Sequence, residues 1–123
     1  MRYTHLHVDA NGDSRFADAQ LPMNEDTSGP GVAELVSGDQ RVGTLRFLQL
    51  PPGWFQEQRP AREPRWLLVL NGVLDVEASD GEVRRFGPGS VLLVEDTSGV
   101  GHRGRVIGGP AQIAIAPLVE ETT

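Results

Sequence analysis

The chain has 123 residues, a formal net charge of −6 and no cysteine. This length predicts one domain, whose core buries roughly two-thirds of the surface of the unfolded chain. The absence of cysteine excludes disulfides, thiolate metal sites and a cysteine nucleophile. All eleven basic residues are Arg, which excludes a Schiff base on Lys. The acidic residues are scattered, which argues against a surface that binds nucleic acid.

The N-terminal residues 1–13 contain no apolar stretch of the kind found in a signal peptide. No segment approaches the roughly 18 consecutive apolar residues that a membrane-spanning helix needs. We therefore expect a cytoplasmic protein with no membrane partner.

Short apolar runs separated by Gly and Pro predict an all-β fold, because no window shows a sustained helical period. In chain order, the predicted strands cover residues 3–8, 32–36, 43–50, 65–70, 74–78, 82–86, 90–94, 103–107 and 112–118. Many short strands at this spacing are typical of a β-sandwich or barrel.

The segments between these strands carry turn residues. Asn71-Gly72 and Asp80-Gly81 are typical of two-residue hairpins, in which both residues can take positive φ. Residues 9–30 are polar and rich in turn formers, so we expect an arm or loop there. The expected domain is a single unit over 1–123, with an N-terminal strand and arm over 1–30 and a barrel core over 43–118.

Two motifs suggest a family. Residues 53–72 run from Gly53 through Arg59, Ala61 and Arg65 to Gly72, at the intervals of the first cupin motif. Residues 99–102, Gly-Val-Gly-His, keep the single His of the second motif. The stretches 65–72 and 80–89 are similar to the strand and the inter-motif hairpin of cupins, and residues 95–102 are similar to a subgroup with a longer loop.

From residue 45 to 118, and more loosely from residue 3, the chain resembles the small single-domain bacterial cupins. The resemblance implies a cupin-type double-stranded β-helix, a jelly-roll barrel made of two antiparallel sheets. It also implies a metal site, which cupins build from three His and one Glu. Here the first-motif positions hold Arg59, Ala61 and Arg65, none of which can coordinate a cation. We therefore expect no metal and no other cofactor.

His102 and Arg65 are the candidate catalytic residues. His102 is the one motif ligand retained, and it either acts as a general acid or base in the pocket or stabilises its Gly-rich loop. Arg65 takes the Glu position and should point inward, because side chains alternate along a strand. An inward Arg needs a partner, which is either an oxygen of a ligand or an internal carboxylate such as Glu57 or Glu63.

The other candidate ligand-binding residues follow from their places around the first motif and on the predicted strands. Arg59 lies in a predicted loop, and two Gln side chains offer neutral hydrogen bonds. A Trp beside the Pro-Pro-Gly turn could cap the pocket, and four apolar residues should line the interior. The full set is Arg59, Gln58, Gln49, Trp54, Phe47, Leu67, Val69 and Val106.

The N-terminal strand suggests a homodimer, because exposed sheet edges need covering. Residues 3–8 are the expected contributors, with Trp66 or Leu68 packed nearby. His5 and His7 face one side of this strand and have the spacing of a metal pair. No carboxylate on the same face is evident from the sequence, so we do not assign them a metal.

Two classes of function fit these residues. The first is a metal-independent isomerase, cyclase or lyase, for which the analogy with single-domain cupins suggests a place in natural-product biosynthesis. It would act on a small organic molecule that is anionic or carries a carbonyl. The second is a non-catalytic barrel that binds a small metabolite. A metal-dependent cupin with atypical ligands, drawn from His102, His5, His7 and carboxylates, is a third interpretation.

Overall fold

A computed structural model describes residues 1–119, and residues 120–123, the end of the expected domain, lie outside them. The described residues form twelve strands and no helix. The strands are β1 Arg2–Val8, β2 Ser14–Gln20, β3 Met23–Asp26, β4 Glu34–Ser37, β5 Arg46–Leu50, β6 Phe55–Arg59, β7 Arg65–Asn71, β8 Leu74–Glu77, β9 Val83–Phe86, β10 Val91–Val94, β11 His102–Val106 and β12 Ala111–Pro117. Each predicted strand overlaps one of these.

The strands form two main sheets and one separate hairpin. The larger sheet has the order β2-β1-β10-β7-β12-β5, and the smaller has the order β6-β11-β8-β9. Within residues 1–119, strands β3 and β4 pair only with each other. The sheets are not purely antiparallel as expected, because β1 and β10 pair in parallel through Thr4 and Leu92, among other residues. All other pairings between strands are antiparallel.

Side-chain alternation builds the core between the two main sheets. On β7, Arg65, Leu67 and Val69 lie on the inner face, whereas Leu68 and Leu70 are exposed on the outer face. The neighbouring strands contribute inner residues in the same way, and the core includes Leu6, Leu50, Leu74, Val76, Leu92, Val94, Val106 and Ile113. Each fully buried aliphatic side chain of this kind contributes about 1.5–3 kcal/mol.

The two predicted hairpin turns have different outcomes. Asp80-Gly81 does lie in a hairpin, between the paired strands β8 and β9, although only Gly81 has positive φ. Asn71-Gly72 instead turns the chain from the larger sheet into the smaller one, so it is a corner and not a hairpin. Gly72 has a φ of 81°, and Asn71 does not have positive φ.

The expectation of a loop over residues 9–30 is wrong for much of this segment. Strand β2 pairs with β1 over its whole length, from Ser14 opposite Val8 to Gln20 opposite Arg2. Phe16 is buried and its ring lies 6.1 Å from that of Phe86. Polar residues alternate with the inward-facing residues along β2, so its sequence resembles that of a polar loop.

The N-terminal strand has no free edge, because β1 lies between β2 and β10. The edge argument for a dimer through residues 3–8 therefore does not hold. Trp66 is buried on the outer face and packs edge-to-face on Tyr3, with 5.1 Å between ring centroids. The homodimer itself stays a prediction.

No helix long and apolar enough to cross a membrane occurs within residues 1–119.

The corner at Gly72 can be tested by adding one methyl group. A Cβ at this position would lie 2.5 Å from the carbonyl oxygen of Pro110, whereas a Cβ at Gly53, whose φ of 80° nearly matches, would meet nothing within 4 Å. Gly53→Ala should cost only the left-handed strain of about 1–2 kcal/mol. Gly72→Ala should cost about 1–3 kcal/mol more, because backbone must move. Urea unfolding of both variants measures this difference, and equal losses would contradict the packing described.

Candidate functional site

A cavity of about 320 Å³ lies between the two main sheets. Its wall is mostly apolar, with a few polar groups, which is the usual composition of a small-molecule site. The polar residues on the wall are Gln56, Arg59, Arg65 and His102, and the apolar ones are Leu6, Leu48, Leu50, Trp54, Leu67, Leu74, Val76, Leu92, Val94, Ile113 and Ile115.

His102 begins β11 and is held by a buried carboxylate. A hydrogen bond of 2.6 Å joins its Nδ1 to Oδ2 of Asp96, whose side chain is completely buried. No hydrogen bond from the described residues reaches Nε2 of His102, and this side chain lines the cavity. The hydrogen bond to Asp96 therefore holds Nδ1 of the imidazole in place, and Nε2 is left to interact with a ligand.

Glycine at position 101 allows this placement of His102. Gly101 is buried with a φ of 83°, and a Cβ there would overlap the backbone of Arg59 and Pro60. This close approach lets His102 pair with Arg59 across β11 and β6. The ladder shifts register between His102 and Gly104, a bulge of the kind that often re-aims a side chain near a site.

A serine pair supports the loop that precedes His102. The backbone N–H of Ser14 donates to Oγ of Ser79, and the N–H of Ser79 donates to Oγ of Ser14, each at 2.7 Å. Ser14 Oγ in turn donates to the carbonyl of Gly101 at 3.0 Å. Backbone N–H of Val100 donates to the carbonyl of Gly12 at 2.9 Å. The start of β2 and the β8–β9 turn thus brace the His102 loop.

Arg65 enters the cavity wall from β7 and is half-buried. Its Nε is buried and has no hydrogen-bond partner. Burial lowers the pKa of Arg65, while the nearby charge of Glu63 raises it and that of Arg59 lowers it. An Arg remains protonated under these conditions. Within residues 1–119, neither Glu57 nor Glu63 forms a hydrogen bond or ion pair with it, so the guanidinium keeps a donor for another group.

Two further polar residues and one aromatic residue complete the wall. Arg59 is exposed at the end of β6 and lines the cavity, so the cavity opens to solvent at this residue. The expectation that Arg59 lies in a loop is wrong, because β6 is a strand. Gln56 lies on the same strand and is partly buried. Trp54 is held by its backbone, whose carbonyl accepts from the N–H of Val106 at 2.9 Å.

These residues do not fit the metal that the cupin resemblance implies. Arg59 and Arg65 are cations, and Ala61 is a buried methyl group without a donor atom. His102 has one nitrogen engaged by Asp96. Within residues 1–119, no group of three or more His, Asp or Glu side chains could hold a metal ion. We therefore derive no step through a metal, and metal independence stays a prediction.

The structure brings together only some of the sequence-predicted site residues. His102, Arg65, Arg59, Trp54 and Leu67 all line the cavity. Their roles remain predictions, but their positions are compatible with one site.

The other predicted lining residues lie elsewhere. Phe47 is 68% exposed on the outer face of β5 and Gln49 is exposed beside it, because Leu48 and Leu50 are the inward residues. Gln58 is exposed, and its amide donates to the carbonyl of Gly101 at 3.3 Å instead of facing the cavity.

Val69 and Val106 are buried as core residues and do not line the cavity. Placing them in the pocket was therefore wrong, although their inward direction was right.

Asp96 is the main residue that sequence reasoning missed. It lies six positions before His102 in a stretch of polar loop residues. Nothing in the local sequence separates it from Glu95 or Thr97, which are much less buried. Gln56 was also missed, because the polar strand β6 resembles a loop in sequence.

A second His–carboxylate pair lies outside the cavity. His5 Nε2 and Glu95 Oε1 are 2.8 Å apart, and the rings of His5 and His7 are 5.1 Å apart. The expectation that no carboxylate shares this face is therefore wrong. The group is still not one that could hold a metal.

Comparison with protein-family models gives no match, and comparison with curated proteins gives none either. Among solved structures, the chain is similar to the SPY1581 protein of Streptococcus pyogenes, of unknown function, at 15% identity over 72% of each chain with a TM-score of 0.51. It is similar to the NMB1881 protein of Neisseria meningitidis at 15% identity, over 66% of this chain and 83% of that one, with a TM-score of 0.46. It is similar to the cupin domain of Cnp3 from Schizosaccharomyces pombe at 13% identity, over 80% of this chain and 85% of that one, with a TM-score of 0.48.

At these identities the likeness bears on the fold alone. The described residues form two main sheets with the cavity between them and no helix, as the predicted fold class requires. The predicted fold class is confirmed: the chain has an all-β, cupin-type fold.

The unpaired guanidinium should be costly to the fold. We expect Arg65→Leu to raise the free energy of unfolding by about 1–3 kcal/mol, because it removes a buried donor without a partner and adds apolar surface to the core. Arg46→Leu is the control, because Arg46 is exposed on the neighbouring β5 and should change stability by less than about 0.5 kcal/mol. Urea unfolding gives both values. A loss of stability in Arg65→Leu would show that Arg65 has an internal partner.

Proposed function

We propose that this protein acts on a small organic molecule that is anionic or carries a carbonyl, and that it moves a proton without a metal. The arrangement of His102, Asp96 and Arg65 around one cavity carries the proposal. It supports an isomerase, cyclase or lyase, since each of these reactions begins or ends with a proton transfer. A place in natural-product biosynthesis is an analogy, and a cytoplasmic location is still a prediction.

The charges of the cavity support an anionic ligand. Arg59 and Arg65 both line it, and within residues 1–119 no carboxylate pairs with the guanidinium of Arg65, which can therefore donate to a ligand oxygen. A charge-assisted hydrogen bond of this kind contributes about 1.5–3 kcal/mol. The apolar remainder of the wall would hold the hydrocarbon part of the ligand.

The volume supports a small ligand. About 320 Å³ is near the lower end of the range for ligand pockets, roughly 300–1,000 Å³. A molecule with an acidic C–H beside a carbonyl could place that carbon near His102 while an oxygen reaches Arg65. Oxidation is not proposed, because no side chain of the cavity supplies redox chemistry.

Hydrogen–deuterium exchange tests proton removal without knowledge of the natural substrate. Three probes, 2-oxobutyrate, levulinate and phenylpyruvate, are incubated in D₂O with the protein, and loss of the C–H signal beside the carbonyl is followed by proton NMR. We expect faster exchange than in buffer for at least one probe. His102→Ala should lower the enzyme-dependent rate by about 10²–10⁴-fold, and Arg65→Leu should weaken binding by about 10–100-fold.

Gln49→Ala is the control, because Gln49 lies on the outer face of β5 and should leave the rate unchanged. Binding of a probe without accelerated exchange would replace this proposal with the non-catalytic, metabolite-binding interpretation. A rate that disappears after dialysis against EDTA and returns with one added metal would replace it with the metal-dependent one. If no probe binds or exchanges, the proposed ligand class is wrong.

A further inference from the structure

We propose that Asp96 is a positioning residue that fixes His102 as a proton acceptor, with hydrogen on Nδ1 and the lone pair of Nε2 available to the ligand. This inference rests on the proposed function and adds the direction of the first proton transfer. It narrows the substrate to a molecule that has an acidic C–H next to a carbonyl or carboxylate.

The hydrogen bond determines which nitrogen carries the hydrogen. An ionised carboxylate only accepts hydrogen bonds. With Asp96 ionised, the distance of 2.6 Å between its Oδ2 and Nδ1 of His102 makes Nδ1 the donor. A neutral imidazole with its hydrogen on Nδ1 has an acceptor at Nε2. General-base catalysis requires such an acceptor within reach of the proton.

The Asp96 carboxylate is not needed to hold its own loop. The backbone carbonyl of Asp96 already accepts from the N–H of Ala61 at 3.0 Å, and the carbonyl of Leu6 accepts from the N–H of Glu95 at 2.7 Å. The side chain of Asp96 is completely buried and its Oδ1 has no partner. Burying a carboxylate this poorly satisfied is costly, and among the described residues its one hydrogen bond is the one to His102.

The surrounding charges suit the anion that proton removal creates. Arg65 from β7 and Arg59 from β6 line the same cavity as His102, and Glu63 is one nearby carboxylate whose charge acts on Arg65. The charge of Asp96 also favours protonated Arg65. The site therefore combines an acceptor for a proton with a cation for the resulting negative charge.

The proposed proton transfer conserves atoms and electron pairs. Nε2 of His102 forms a bond to the proton as the C–H bond breaks, and the C–H electron pair forms a carbon–carbon π bond. The carbonyl π electrons move to oxygen, which Arg65 stabilises as an enolate oxygen. The imidazolium then returns the proton to another carbon in an isomerisation, or to a leaving group in an elimination. Neither path needs an oxidant or a reductant.

Nitrogen NMR shows directly which ring nitrogen of His102 carries hydrogen. The chain has three His residues, so ¹⁵N-labelled protein without a tag gives a simple two-bond imidazole spectrum, assigned with His102→Ala. We expect His102 to show hydrogen on Nδ1 and a lone pair on Nε2 at alkaline pH. Asp96→Asn is close in shape but can donate to Nδ1, so it should shift hydrogen to Nε2.

The same variants are then measured for exchange of 2-oxobutyrate and for binding of unreactive propionate. Asp96→Asn should lower the exchange rate by about 10²–10⁴-fold and change the dissociation constant of propionate by less than about threefold. Glu95→Gln is the matched control, because Glu95 pairs with His5 at 2.8 Å outside the cavity. It should alter the His5 signals and leave His102 and the exchange rate unchanged.

The results separate this inference from the proposed function. If wild-type His102 carries hydrogen on Nε2, or Asp96→Asn keeps the wild-type tautomer and rate, the role of Asp96 is wrong. If the wild-type protein shows the expected tautomer but exchanges no probe, the proposed reaction fails while the orientation by Asp96 is upheld. Equal loss of propionate binding and rate in a folded Asp96→Asn would make Asp96 structural and overturn the inference.

Discussion

Arg65 enters the space between the two main sheets on the same face of β7 as Leu67 and Val69, and its Nε has no partner there. A desolvated cation with an unpaired donor opposes folding. The other residues of the cavity wall are apolar side chains, another cation, an imidazole and the amide of Gln56. The proposed ligand would meet the guanidinium where Arg65 lines the cavity, because a site that binds an anion must leave a cation unpaired in the absence of the ligand.

The loop before His102 shows how the fold serves the site. Glycine at 101 allows the backbone to approach Arg59, and the paired serines 14 and 79 hold the loop from the other side. These contacts use backbone groups and small side chains, which lets the segments around the His102 loop approach one another closely. The fold retains the cupin arrangement of strands, while the residues at the expected metal positions supply cations and a methyl group. Under the proposed function, catalysis would depend on side-chain proton transfer and on electrostatics.

Much of the fold could be predicted from sequence, because Gly and Pro mark the turns and apolar residues alternate along most strands. Strands β2, β3 and β6 were missed since their residues are largely polar, and only pairing with neighbours makes them strands. The face of β5 was assigned one residue out of phase: Phe47 is bulky and apolar, yet Leu48 and Leu50 face the cavity. When apolar residues lie on both faces of a strand, its own sequence does not show which face points toward the core.

The site was harder to predict than the fold. His102 and Arg65 could be found because they occupy motif positions, whereas Asp96 could not, since its burial depends on β1 and the 59–61 segment packing around it. The outward position of Gln58 likewise follows from its hydrogen bond to Gly101, a contact between distant segments. Spacing along the chain identifies candidate residues, but tertiary contacts decide which of them share a cavity.

A crystal structure of the protein soaked with 2-oxobutyrate at high pH would test most directly the claim that Arg65 and His102 share one anion-binding cavity. The account predicts the carboxylate or carbonyl oxygen within hydrogen-bond distance of Arg65, and the carbon beside the carbonyl facing Nε2 of His102. Density only outside the cavity, or a guanidinium of Arg65 paired with Glu63 in place of the ligand, would contradict it.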